Sequence, residues 1–538
     1  MTKLLFVNPA IRESSPPKHA PLGELWLAAC LKEWYGVDSG LFDINALRDV
    51  ASQDDIDVDL ASAVQEEDWA AVGIGGITTT YSSIKHALKI IRPNYDGMIV
   101  LGGGGFTAQP REWMEFLPEV DVGVFGEAFH TLGEVVKSNG SLKDVRGIFY
   151  KTESGELVCT GERHDSVNMD DLPLPMYQLA PLEIYFRNSS ILMSEESMTA
   201  KRRMDYCASI GCSLSCNFCY DLGLTGLKWD GIEMRFPRSH PVEVRRLSRW
   251  RSPEKCVADW KYMRERWGCD FISLLDENQS TMDAVHPSRN WIEQISDLCL
   301  KEGLQPQCVR DGVPHNPEKC SGLHFGSTAH SALVTPRFLR AAKRCGYSYF
   351  DFGFEAWHDP VLKHIKKGAS LKTNVNGLIM TMRYGIRPIP NNQIGFEVED
   401  FESLRRMVVA WEVLRIVAVP FLTTPYPGSD IWYRNKGKIL EAYGGDMELF
   451  IKTLNDATEP VISISKNFTL EELLVLRFHM VRQDKDAIDQ FENAWRKKRG
   501  LEPRPKDEQL NDWGRYRAEV AALAEEARSR VQEAYVTG

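Results

Sequence analysis

Residues 212–220 read CSLSCNFCY. They place Cys212, Cys216 and Cys219 in a C-x3-C-x2-C array just after the short apolar run around Tyr206. Three thiolates from one short loop can hold three irons of a 4Fe-4S cluster and leave the fourth iron open to an outside ligand. A zinc ion is the alternative, and it would need a fourth ligand, for which Cys207 is at hand five residues earlier.

Outward from the triplet, residues 200–435 alternate short apolar runs with amphipathic stretches. The pattern predicts strands at Asp205–Ala208, Phe271–Leu275, Gln305–Cys308, Tyr349–Phe354, Arg387–Ile394 and Ile416–Pro420. It predicts helices at Ser252–Trp267, Asn290–Glu302, Pro336–Cys345, Asp359–Lys366 and Asp400–Trp411. Six such strands suit a partial or complete (β/α) barrel with active groups at the C-terminal strand ends, although an open sheet has the same periodicity.

Residues 1–140 carry a second α/β rhythm, with strands near Leu4–Val7, Gly40–Ile44, Ala70–Ile77, Gly97–Gly102 and Val120–Phe125. This predicts a doubly wound parallel sheet. VGIGGITTT and IVLGGGGFTAQP put glycines at strand ends, where such sheets bind ligands and where a missing side chain lets something broad approach the backbone. No GxGxxG follows the first strand, which argues against an ordinary dinucleotide site. Residues 141–199 read as a linker with a small hairpin, and residues 436–538 as mainly helical. There Thr469 and Glu472 form a capping box ahead of a face built from Leu470, Leu473, Leu474 and Phe478. The segment from Asp507 to Tyr535 reads as a solvated amphipathic helix.

Composition narrows the function. The 538 residues exceed one ordinary core, and 75 acidic against 64 basic residues leave a formal charge of -11, so wrapping a nucleic acid is not the main task. The opening MTKLLFVNPAIRESSPP lacks a signal-peptide pattern, and no run approaches the roughly 18–20 apolar residues of a membrane span. The expected compartment is the cytoplasm, where most of the twelve cysteines stay reduced.

With Phe218 ahead of the last cysteine, the triplet resembles the signature of the radical S-adenosylmethionine (radical SAM) superfamily. The resemblance implies that Cys212, Cys216 and Cys219 ligate the 4Fe-4S cluster and that Phe218 packs behind it. It also implies that the free iron chelates S-adenosylmethionine. FISLLDENQST and YFDFGFEAWHDPVLKHIKKGAS resemble family strands ending in acidic residues, which marks Asp276 and Glu355 as cofactor-binding candidates. Arg310, after the strand expected to end at Cys308, is a similar candidate for a carboxylate contact.

PLGELWLAACLKE, GIGGITTTYSS, VLGGGGFTAQP and VGVFGEAFHTLGEVV resemble the N-terminal cobalamin-binding module of B12-dependent radical SAM enzymes. That resemblance implies a Rossmann-like domain with cobalamin contacts at Thr78, Thr79, Gly103, Gly104 and Glu127. Asp43-Ile44-Asn45 departs from the Asp-x-His-x-x-Gly cobalt-ligand motif of methionine synthase and the mutases, so no histidine ligand is expected from that loop.

The implied activity is a cobalamin-dependent radical SAM C-methyltransferase, acting on an unactivated carbon through a 5'-deoxyadenosyl radical and methylcobalamin. Cyclisation, carbon–carbon bond formation or oxidative rearrangement without methyl transfer is the alternative, and a cobalamin carrier without catalysis is a minor one. The implied partners are a small-molecule, lipid, tetrapyrrole or peptide substrate and an electron donor such as flavodoxin or ferredoxin.

Overall fold

Leu4–Val7 is apolar at every position and buried, as a strand covered on both faces must be. In the computed structural model it lies in β1 (Lys3–Asn8) of a seven-stranded sheet. The others are β2 (Asp38–Asp43), β3 (Ala71–Gly75), β4 (Met98–Gly102), β5 (Val122–Val124), β6 (Ile148–Lys151) and β7 (Leu157–Cys159). Their order is β2-β1-β3-β4-β5-β6-β7, parallel through β5 and antiparallel beyond it. The structure describes residues 2–11, 15–138, 140–163, 166–188, 200–220, 228–229, 231, 234–235, 248–285, 290–313, 320–454 and 461–536.

The chain divides into two units. The first comprises Met1–Cys212, Cys219–Leu275 and Tyr426–Asp456. Its hairpin β6–β7, expected inside a linker, instead extends the N-terminal sheet through Val122–Val124, because its apolar Ile148 and Phe149 are buried there. The end of the expected linker, residues 189–199, lies outside the described residues. The unit also holds β8 (Arg203–Tyr206), the pairs β9 (Ser209–Ile210) with β12 (Arg249–Trp250) and β10 (Lys228–Trp229) with β11 (Met234–Arg235), and β13 (Phe271–Leu274), parallel to β8. The helix Pro253–Trp267 begins on the Ser252 cap and ends at Gly268 in the left-handed conformation, φ 67°.

A late segment completes this unit. The helix Met447–Thr453 lies against the helix Tyr81–Asn94. Tyr81 donates to Glu448 Oε1 at 2.8 Å, and Lys85 pairs with the same carboxylate. Burial opposes ionisation there, but Lys85, Lys452 and Tyr81 together hold the Glu448 carboxyl down at about 2.

The second unit comprises Ser213–Phe218, Asp276–Pro425 and Ala457–Gly538. Its parallel strands are β14 (His324–Ala329), β15 (Tyr347–Glu355), β16 (Arg387–Ile394) and β17 (Phe421–Leu422). Two expectations shift. Gln305–Cys308 is not a strand, because Pro306 starts the short helix Gln307–Asp311. The strand expected at 416–420 begins only at Phe421, with Val417 and Val419 exposed before it.

The capping box at Thr469 and Glu472 is present. The buried face of that helix is Leu473, Leu476 and Met480, while Leu474 and Phe478 face water. The last helix, Lys506–Val536, packs against Leu371–Arg383 and Phe401–Leu414 and buries Trp513, Tyr516, Val520, Ala524 and Ala527, so it is not merely solvated. Arg405 is buried there and paired with Asp489 and Glu492.

Candidate functional site

In the first unit the ends of β3 and β4 open on a cavity of about 270 Å³, walled by Gly75, Gly76, Gly102, Gly103 and Gly104 beside Leu27. Two of these glycines are fixed by the approach of the strand-end loops. Gly103 takes φ +89°, and a Cβ there would stand 2.5 Å from Gly76 N. A Cβ on Gly75 would meet Gly102 O at 2.8 Å, and Gly105 N donates to Gly76 O at 3.0 Å. The close approach leaves a wall of bare peptide. Beside it, Thr78 begins a 3-10 turn, and its buried Oγ1 finds no hydrogen-bond partner among the described residues. A bare wall and an orphaned buried hydroxyl fit a broad ligand with polar groups at its edge, as the cobalamin expectation requires.

Thr79 is half-buried in the same turn. Glu127 does not line the cavity; it pairs with Arg249, and burial pushes its carboxyl up. Asp43 and Asn45 serve the protein's own structure. Asp43 accepts from Asn8 and Tyr185 at 2.7 Å each and caps the next helix, while Asn45 Oδ1 accepts from Ile11 N at 3.0 Å.

The sequence reading missed Glu24, an acid lining this cavity from the first turn of the helix Leu22–Tyr35. Burial, with Asp43 adding repulsion, pushes its carboxyl from 4.5 up to about 7. The folded chain therefore holds this proton more tightly than the unfolded chain, and Glu24 costs stability as pH rises through that window. Glu24→Gln is expected to raise stability at pH 8, by at most ~3 kcal/mol, and to change little below pH 4.5. Thermal unfolding at both pH values checks this; equal effects at the two would remove the titration from the explanation.

The second unit builds its polar cluster at the end of β15. Glu355 sits at φ 60°, where β15 and β16 lose register between Gly353 and Glu355. A side chain held in this left-handed conformation costs about 1 kcal/mol or more, which the surrounding contacts must offset. Its carboxylate accepts from Lys367 Nζ through Oε1 and from Gln393 Nε2 through Oε2, each at 3.0 Å. Both Glu355 and Lys367 are buried. Gly353 makes room for them, because a Cβ there would stand 2.3 Å from Glu355 Oε1 and 2.8 Å from Lys367 Nζ.

His330 fixes the lysine's backbone. Its Nδ1 accepts from Ala332 N at 3.2 Å, so Nε2–H donates to Lys367 O at 2.9 Å. Burial, reinforced by Lys367, holds His330 neutral with its pKa lowered to about 3.

The cysteine loop is anchored on the same unit. Asn217 donates from its backbone to Ile365 O at 3.0 Å and from Nδ2 to His364 O at 2.8 Å. Phe218 stands edge-on to Phe396 at 5.6 Å, and Lys367 Nζ lies 5.8 Å from its ring centre. Cys216 is buried; burial pushes its thiol up, and Lys367 draws it back toward the thiolate. Cys212 and Cys219 are half-buried. A buried thiol in the field of a lysine cation fits a cluster ligand, whose negative charge needs such an offset.

Asp276 is buried, and its carbonyl accepts from Thr328 Oγ1 at 2.7 Å. Arg310 is not brought to this cluster. With Gln305–Cys308 not a strand, it lies exposed on the helix Gln307–Asp311 and bonds Gln307. Sequence reasoning passed over Lys367, Gln393, His330 and Asn217. Only the first had a local signal, the Lys-Lys-Gly after His364 and Ile365.

Comparison with known proteins matches residues 9–136 to the B12 binding domain and residues 206–409 to the Radical SAM superfamily. An uncharacterized methyltransferase of Pyrococcus horikoshii is 24% identical over 444 residues, 80% of this chain and 82% of the relative. The anaerobic magnesium-protoporphyrin IX monomethyl ester cyclase of Synechocystis sp. is 21% identical over 341 residues, 62% of this chain and 56% of the relative.

The fold is similar to that of the radical S-adenosylmethionine methyltransferase TsrM from Kitasatospora setae, solved with tryptophan and a SAM analogue. The TM-score is 0.59 at 16% identity, over 82% of this chain and 77% of that one. It is also similar to the cobalamin-dependent S-adenosylmethionine radical enzyme OxsB, with TM-score 0.57 at 18% identity, over 87% of this chain but 58% of that one. The fold class is α/β, with a B12-binding domain, a radical SAM domain on a parallel half-barrel sheet and a helical C-terminal region.

Proposed function

From a chain that belongs to the cobalamin-dependent radical S-adenosylmethionine enzymes, its two domains implying a 4Fe-4S cluster, S-adenosylmethionine and cobalamin, we propose a C-methyltransferase acting on an unactivated carbon. What carries the reading is the pairing of the two domains together with the similarity to an uncharacterized methyltransferase, 24% identical over 82% of its own length. When bound, the cluster supplies an electron that cleaves S-adenosylmethionine, and cobalamin supplies the methyl group.

The chain's residues bind and orient. Cys212, Cys216 and Cys219 hold three irons, and Phe218 packs behind them. Glu355, aimed by Lys367 and Gln393, offers its carboxylate to the amino group of S-adenosylmethionine. Asp276 lies at the end of β13 as a further polar contact. Arg310, exposed and bonded to Gln307, has less to support a carboxylate contact. In the first unit, Gly103 and Gly104 give the corrin a bare wall, and Thr78 and Thr79 meet its edge. Glu127, paired with Arg249 and not lining the cavity, has less to support a corrin contact.

The substrate is a small molecule, lipid, tetrapyrrole or peptide, and the electron donor is a protein such as flavodoxin or ferredoxin, in the cytoplasm. Among the described residues, no helix is long and apolar enough to cross a membrane.

Reconstituted protein with a strong reductant and methyl-labelled S-adenosylmethionine is expected to yield labelled product together with S-adenosylhomocysteine and 5'-deoxyadenosine. Substrate conversion without label in the product would reject methylation. It would favour cyclisation or rearrangement, which the relative named as a cyclase supports.

A further inference from the structure

A second group of metal-ligating side chains stands apart from the cysteine triplet, at the opposite end of the β14–β15 ladder from Glu355. Cys308 lies on the helix Gln307–Asp311, Cys320 four residues before β14, and His324 is the first residue of β14. Their Sγ, Sγ and imidazole nitrogen lie within 4.8 Å of one another, which no other trio of His, Cys, Asp or Glu among the described residues matches.

The fold brings them together with local backbone bonds. Gln307 N donates to Ser321 O at 2.8 Å, and Leu323 N to Leu304 O at 2.7 Å, so the segments before the helix and before β14 are stitched side by side. Gly322, at φ +113°, permits the contact, since a Cβ there would stand 2.5 Å from Pro306 Cα.

The spacing matches one tetrahedral ion. His324 Nε2 lies 3.9 Å from Cys308 Sγ and 3.6 Å from Cys320 Sγ. With Zn–S of about 2.3 Å and Zn–N of about 2.0–2.1 Å, a tetrahedral centre sets N···S near 3.6 Å. The other ring nitrogen, Nδ1, lies 3.2 Å from Ser348 Oγ. Such an outer partner takes the ring proton and leaves Nε2 as the lone-pair donor facing both sulfurs. Two thiolates and one imidazole around a divalent cation are neutral overall, which suits the burial of Cys308 and His324.

We propose that Cys308, Cys320 and His324 bind a zinc ion that fastens the helix Gln307–Asp311 to the start of β14. Two thiolates with one imidazole form a borderline-soft donor set that selects zinc over magnesium or calcium. Ser348 is separated from Glu355 by seven steps of β15, roughly 23 Å at ~3.3 Å per residue, so the ion takes no part in chemistry at Glu355. It acts on the N-terminal strand ends, the side of a barrel that carries stability.

The full chain, expressed with added zinc and purified without oxygen, is expected to hold about one zinc alongside its iron. A Cys212→Ala/Cys216→Ala/Cys219→Ala protein should lose the iron and keep the zinc. Cys320→Ser should keep the iron and lose at least ~10-fold in zinc affinity, read by chelator competition. Replacing zinc by cobalt(II) gives a second readout, a thiolate-to-cobalt charge-transfer band present in the wild type and absent in Cys320→Ser. Because the wild-type band stands alone, a poorly folded variant does not rescue or sink the proposal. Three results would overturn it: wild-type protein without zinc or the cobalt band, zinc that leaves with the triplet, or a Cys308–Cys320 disulfide in the anaerobic protein.

Discussion

Cys216→Ala is expected to abolish reductive cleavage of S-adenosylmethionine, a loss of at least ~10³-fold, or about 4 kcal/mol of barrier. Of the three loop cysteines it is the buried one, and it lies in the field of Lys367. Alanine leaves one iron of the cluster without its thiolate while removing only a single sulfur from the packing. The loop's other anchors, Asn217 on His364 and Ile365 and Phe218 on Phe396, are untouched. Thermal stability of the iron-free protein should therefore change little, whereas iron content, visible absorbance and 5'-deoxyadenosine formation collapse together. Cleavage at an undiminished rate would mean that the cysteine assignment is wrong.

Lys367→Met carries the second large effect. It leaves the buried Glu355 carboxylate with only the neutral amide of Gln393, and removing one partner of a buried pair typically costs about 3–5 kcal/mol. The side chains of Lys367 and Glu355 are only 11% and 7% exposed, so water does little to screen the loss. Glu355→Gln placed in the same chain removes the stranded charge, and the double variant should recover most of the stability. Thermal unfolding of the two single variants and the double variant measures the coupling; strictly additive losses would show that the two groups act independently. Cys216 would also lose its nearby cation, so weaker iron retention should accompany Lys367→Met.

What the sequence disclosed about this site follows how local each signal is. The cysteine spacing, the glycine runs at strand ends and the Thr469–Glu472 cap are fixed within a few residues, and each was readable. β14 was not, because His-Phe-Gly-Ser-Thr-Ala has neither an apolar run nor clean alternation, and only its neighbours in the sheet make it a strand. The same gap moved a strand wrongly onto Gln305–Cys308, where Pro306 starts a helix, and took Arg310 along with it. The Glu355–Lys367–Gln393 cluster joins residues 12 and 38 positions apart, so no window of sequence reveals it. Glu24 was hidden for another reason: an acid in a first helical turn is ordinary, and only the cavity beside it makes its proton unusual.

The clamp of Glu448 on Tyr81 and Lys85 has a consequence for synthesis on the ribosome. The N-terminal sheet is complete in sequence at Cys159, yet the helix that covers Tyr81–Asn94 ends only at Thr453. At translation rates of about 5–20 residues per second, the nascent sheet waits roughly 15–60 s for its cover. During that interval Tyr81 and Lys85 lack the Glu448 carboxylate, and a chain terminated after the hairpin would stay without it.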